Sequence, residues 1–107
     1  VVNLNPVLGS ETGKTRPCVI VTNDIYNQRV PVIQVIPVTN YSEKKAAIIT
    51  NVVIAPTPEN GLNKTSIADC LQTRPIDVNR RLNQVIGELT DTDMNKIDSA
   101  LQIVFAL

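Results

Sequence analysis

Residues 30–38 read VPVIQVIPV, a strand with two distinct faces. Val30, Val32, Gln34, Ile36 and Val38 fall on one face, and Pro31, Ile33, Val35 and Pro37 on the other. Its two prolines suggest a bent or edge strand. The runs PCVIV (17–21), AAIITNVVIA (46–55) and SIADCLQ (66–72) are also largely apolar, and Asn, Pro, Gly, Thr or Lys bound them. QVIGEL (84–89) is a further short strand candidate, and NDIYNQ (23–28) and PTPENGLNK (56–64) read as loops. Only Tyr26, Tyr41 and Phe105 are aromatic, so the core must be aliphatic.

The period changes at the C-terminus. Thr90 and Asp93 stand three apart in a start resembling a capping box, and acids cluster in the first turn, where the helix dipole favours them. Met94, Ile97, Leu101 and Val104 then form one helical stripe, which predicts a helix over about 90–106. The chain of 107 residues is expected to be one domain. Short strands without βαβ alternation predict a mainly β fold with a C-terminal α-helix, a small antiparallel barrel or sandwich. The first strand is expected to be incomplete, because the chain opens inside an apolar stretch without an initiator Met.

Net charge is zero, but its distribution is uneven. Residues 1–81 hold nine Lys/Arg against six Asp/Glu, and residues 82–107 hold one against four. A mildly basic body suits an anionic ligand, or is ordinary solvated surface. There is no His, and Cys18 and Cys70 form no CxxC pair, so the usual zinc spacings are excluded and both cysteines read as buried reduced thiols. Two glycosylation sequons, at Asn40 and Asn63, are taken as coincidence in a chain with no signal peptide. No apolar run is long enough to span a membrane.

GSETGKT (9–15) looks like a phosphate loop, but Gly9 and Gly13 enclose three residues where the motif needs four. The segment leads into RPCVIVT, a strand, whereas a phosphate loop must open a helix. It reads instead as a polar loop between strands, with glycines that allow positive φ. Arg16, directly before Pro17 at the entry to an apolar strand, makes it a candidate binding or catalytic loop.

NLNPVLGSETGKTRPCVIVTNDIYN (3–27) resembles the opening of the MazF/PemK (Kid) family of toxin endoribonucleases. Leu4, Pro6, Gly9, Ser10, Glu11, Arg16, Pro17, Val19, Ile20, Val21, Thr22 and Asn27 match its pattern, and Cys18 stands where the pattern has Ala or Val. VIPVT (35–39) is similar to the family strand ending in a reactive Thr, SIADCLQTRPID (66–77) to its strand closing in Q-x-R-x-I-D, and the last 17 residues to its C-terminal helix. Two features depart from the family: the usual Arg-Gly-Asp/Glu turn before the first strand is absent, and Leu71 and Asp69 stand where some members carry an acid and a base.

The resemblance implies an SH3-like barrel of the CcdB/MazF type and a cytoplasmic homodimer inhibited by an antitoxin. It also implies cleavage of single-stranded RNA, without metal or other cofactor, to a 2′,3′-cyclic phosphate and a 5′-hydroxyl. It places Arg16 and Thr39 at the active positions. Arg16 suits the charge on phosphate, with proton donation to the leaving oxygen as a second role. Thr39 suits in-line positioning. Glu11 is the natural carboxylate to take the 2′-proton; equally, it orders the loop or Arg16. Ser10, Lys14, Ser66, Gln72 and Arg74 are candidate RNA contacts, Gln72 and Arg74 standing equally well as plain surface. The alternatives are a non-catalytic toxin of the same fold acting on a protein such as DNA gyrase, whose Trp-bearing tail this chain lacks, and a plain SH3-like interaction module, which would need more aromatics.

Overall fold

The computed structural model describes residues 1–5, 13–22 and 29–107. Among them are strands β1 (Val2–Asn3), β2 (Thr15–Arg16), β3 (Cys18–Ile20), β4 (Val32–Asn40), β5 (Asn51–Ile54), β6 (Ser66–Asp69) and β7 (Arg74–Asp77). Helices α1 (Glu43–Ala46), α2 (Val78–Arg81) and α3 (Asp91–Phe105) follow β4, β7 and the irregular segment 83–90. Every strand pair is antiparallel. β1 and β2 form a two-stranded sheet; the other five run β3-β4-β6-β5, with β7 also beside β4. Among the described residues the sheets do not close into the barrel expected.

β4 is the spine of the molecule and not an edge strand. β3 pairs with it on one side; β7 and then β6 share the other. From Val38↔Ala68 to Val35↔Arg74, β4 advances three residues while its partner chain advances six. The extra length is taken up by a 3₁₀ turn at Cys70–Gln72, where the expected strand 66–72 ends early. That gap explains how a central strand carries Pro37. Val38 N donates to Pro17 O on the β3 side, so residue 37 turns to the other edge, where the ladder is interrupted and no N–H is required.

The strand's two faces feed two apolar clusters. Ile36 and Val38 pack with Val19, Val52, Ile54, Ala68, Cys70, Ile97 and Ala100, beneath α3. Ile33 and Val35 pack with Val2, Leu4 and Ile76. The helix stripe read from the sequence faces the first cluster, and Thr90 Oγ1 accepts from Asp93 N at 3.1 Å as its cap.

Three local expectations give way. In 46–55 only Asn51–Ile54 is strand, because the residues before it favour helix: Ser42 caps α1 and Glu43 sits in its first turn. Segment 84–89 is irregular; Glu88 N donates to Glu59 O, and Gly87 presses on the backbone of Glu59 and Asn60 too closely for any Cβ. β7 was not read as a separate strand; as an edge strand it tolerates Pro75. Loop 56–64 is a loop as expected, built around the buried Asn60, whose amide bonds Ala55 O, Thr57 N and Leu62 N. The loop 23–28 lies outside the described residues.

Candidate active site

Register puts Arg16 and Thr39 on one face. The β3–β4 pairing sets Cys18 opposite Pro37, and the Val38 N to Pro17 O bond continues it by one residue. One step further brings Arg16 opposite Thr39. Directly opposed residues of an antiparallel pair project on one face. It is the face of Val35, and Arg74, paired with Val35, shares it. The Cys18 thiol lies in the field of the N-terminal ammonium, Arg74 and Arg16. Burial outweighs those cations and pushes the thiol up to about 11. Cys18 is therefore an inert neighbour, and Cys70, also raised to about 11 chiefly by burial, is another.

Arg16 is half-buried and its Nε donates to Gly13 O at 2.8 Å. This bond fixes the plane of the guanidinium and leaves both terminal amino groups without an acceptor among the described residues. A fork so held suits two oxygens of one phosphate. Among the described residues of this loop the left-handed one is Lys14, at φ 68°, and not Gly13. Lys14 is held there from both ends: its N donates to Asn5 Oδ1 at 2.9 Å, and its O accepts from Leu4 N at 2.8 Å. A non-glycine residue at positive φ costs about 1 kcal/mol, and here it shapes the turn that presents Arg16.

Thr39, next to last in β4, is half-buried, with its Oγ1 accepting from Lys45 Nζ at 3.5 Å. Because Oγ1 accepts there, its own hydrogen is free to donate to a ligand. The sequence reading missed Lys45, whose position on α1 follows from a helix that the strand-like run 46–55 concealed. It also missed the pair Gln34 and Thr73. Gln34 Nε2 donates to Thr73 Oγ1 at 2.9 Å, which in turn donates to Val35 O at 3.0 Å, pinning the start of β7 to β4. The one polar residue inside an apolar strand was the available signal.

The remaining candidates separate. Arg74 is half-buried and spends one donor on Leu4 O at 3.1 Å, leaving others for a ligand. Gln72 closes the 3₁₀ turn, half-buried, and Lys14 is exposed. Ser66 is buried and its hydroxyl donates to Lys64 O at 2.9 Å, so the side chain is turned inward and occupied. Ser10 and Glu11 lie outside the described residues. Among the described residues no carboxylate is ion-paired with Arg16, Lys45 or Arg74, and no three His, Cys, Asp or Glu side chains gather as a metal site. A cavity of about 420 Å³ opens between β3 and residues 82–89, but neither Arg16 nor Thr39 lines it.

Residues 1–105 match the family described as PemK-like, MazF-like toxin of type II toxin-antitoxin system. The chain is 39% identical over 105 residues to Endoribonuclease EndoA of Bacillus subtilis (strain 168), covering 98% of this chain and 88% of that one. Its fold is similar to MazF (Form-I) from Deinococcus radiodurans, with a TM-score of 0.83 at 20% identity over 99% of this chain and 90% of the other. It is also similar to an endoribonuclease in complex with its cognate antitoxin from a mycobacterial species, with a TM-score of 0.72 at 24% identity over 86% and 82%.

Proposed function

The chain belongs to the PemK-like, MazF-like toxins of type II toxin–antitoxin systems, and from that premise we propose that it is an endoribonuclease cutting single-stranded RNA by attack of the 2′-hydroxyl. The relative EndoA carries the name endoribonuclease, which supports the reaction class. The observation that supports the reading is the antiparallel register, which carried one step past Pro17 and Val38 puts Arg16 and Thr39 on one face.

In the proposed reaction the 2′-oxygen bonds to phosphorus and the bond to the 5′-oxygen breaks. The products are a 2′,3′-cyclic phosphate and a 5′-hydroxyl. Arg16 binds the non-bridging oxygens, where charge grows, and its fixed plane means little reorganisation at that moment. Its guanidinium carries donors and no acceptor, which suits it to donate to the departing oxygen. Thr39 donates to the phosphate and holds the in-line arrangement. Glu11 takes the 2′-proton or orders the loop around Arg16. Lys14, Gln72 and Arg74 extend the contact along the strand. Tyr41, exposed two residues beyond Thr39, is a platform for one base.

The proposed assembly is a cytoplasmic homodimer silenced by a cognate antitoxin, in keeping with the antitoxin complex of the mycobacterial endoribonuclease. No helix among the described residues is long and apolar enough to cross a membrane.

The test is incubation with a mixed-sequence single-stranded RNA in EDTA, followed by mapping of the ends. Cyclic-phosphate ends at a short recurring sequence are expected, with cleavage by Arg16→Ala and Thr39→Ala strongly reduced. No cleavage, or equal cleavage by the variants, overturns the proposal.

A further inference from the structure

We propose that Lys45 is a third binding residue of this site, placing its ammonium on the scissile phosphodiester beside Thr39. The inference rests on the RNA reading above and deepens it.

Lys45 comes to Thr39 from α1, the four-residue helix that follows β4. Its backbone is gripped twice. Lys45 N donates to Ser42 Oγ at 3.2 Å, and Lys45 O accepts from Asn51 Nδ2 at 3.0 Å. Asn51 makes that grip although its own Oδ1 is left buried without a partner, an arrangement that is unfavourable on its own. Reversing the amide would satisfy nothing at Lys45 O, so the observed orientation is the one that holds the helix.

The ammonium itself is held loosely. Nζ lies 3.5 Å from Thr39 Oγ1 and 3.3 Å from Asn40 O, both long contacts to neutral acceptors. Lys45 is exposed, and among the described residues no carboxylate pairs with it. An ammonium offers three donors to whichever acceptors present the most charge. A phosphate oxygen arriving at Thr39 offers a charge-assisted bond in place of a long neutral one. Arg16 alone neutralises one negative charge, whereas in-line attack by a deprotonated 2′-oxygen places a second on the phosphorane. A second cation in contact with Thr39 is placed to meet it.

The experiment measures binding of an RNA carrying a 2′-deoxynucleotide at the mapped cut, so that it binds but cannot react, across a series of salt concentrations. Lys45→Ala is expected to weaken binding roughly tenfold at low salt and to reduce the slope of log K against log salt by about 0.7, the loss of one phosphate contact on a single strand. Lys45→Arg is expected to restore the slope, and Lys45→Gln, which keeps hydrogen bonding to Thr39 and Asn40 without charge, is not. Lys44→Ala, one position along the same helix, serves as the control for general surface charge. An unchanged slope in Lys45→Ala, an equal loss in Lys44→Ala, or rescue by Lys45→Gln overturns the proposal while leaving the nuclease reading intact. If the wild-type chain binds no RNA at any salt concentration, both readings fall together.

Discussion

On β4, Ile36 and Val38 point beneath α3 into a closed aliphatic core, while Val35 and Thr39 point to the face where Arg16 and Arg74 gather. The two faces belong to one backbone and differ by single-residue steps, yet they are built on opposite terms. The helix side has apolar partners from three strands and α3. The other has a smaller core from β1, β4 and β7, and ends in polar groups whose hydrogen bonds are partly unspent. The contrast teaches that stability and chemistry are separable here, because alternation along the strand sends neighbouring residues to different solvents.

Substitutions on each side test that separation. Ile36→Ala, at a fully buried position, is expected to cost about 2–5 kcal/mol in urea unfolding while the cleavage rate per folded molecule stays unchanged. A rate that falls faster than the folded fraction would break the separation. Arg16→Ala is expected to do the reverse, lowering single-turnover cleavage by about 10²–10³ with little change in the unfolding midpoint. Thr39→Val keeps the shape and removes the donor, for an expected loss of about 1.5–3 kcal/mol of transition-state binding, read as the ratio of kcat/KM values.

Thr73→Val sharpens the comparison, since Thr73 ties the two sides together. Its loss strands Gln34 Nε2 and removes the hydroxyl's tie to β4, for about 1–3 kcal/mol, with faster amide exchange expected across β7. The smallest effect concerns the thiols, one flanking each core. Both have folded pKa values raised from 9.0 to about 11, so the unfolded chain loses these protons first as pH rises. Stability from this source is complete below about pH 9 and falls between about pH 9 and pH 11. A Cys18→Ala, Cys70→Ala double variant is expected to show a shallower decline of Tm over that window than the wild type.

Much of the fold was legible because its signals are local. The face alternation in 30–38, the cap at Thr90 and the stripe Met94, Ile97, Leu101 and Val104 each lie within one element, and the structure uses them as read. The near-miss of GSETGKT as a nucleotide loop was also local, a count of three residues between glycines and a strand where a helix was required. What failed needed distant partners. Two prolines made 30–38 look like an edge, and only the 3₁₀ turn at Cys70–Gln72 supplied the gap that lets Pro37 sit in a central strand. The burial of Ser66 and the bond of its hydroxyl to Lys64 O are likewise set by its place in the sheet.

The sequence by itself determined the residue types that can hold a phosphate, the aliphatic strands that carry them, and the family to which they belong. Only the tertiary structure decided which of those residues meet. Register is a long-range property: a one-residue slip between Pro17 and Val38 would send Arg16 and Thr39 to opposite faces with the same local propensities throughout. Lys45 shows the same limit, since nothing in EKKA reveals which hydroxyl its ammonium will reach. That is set by where β4 ends, how Ser42 caps the next turn, and what Asn51 holds in place.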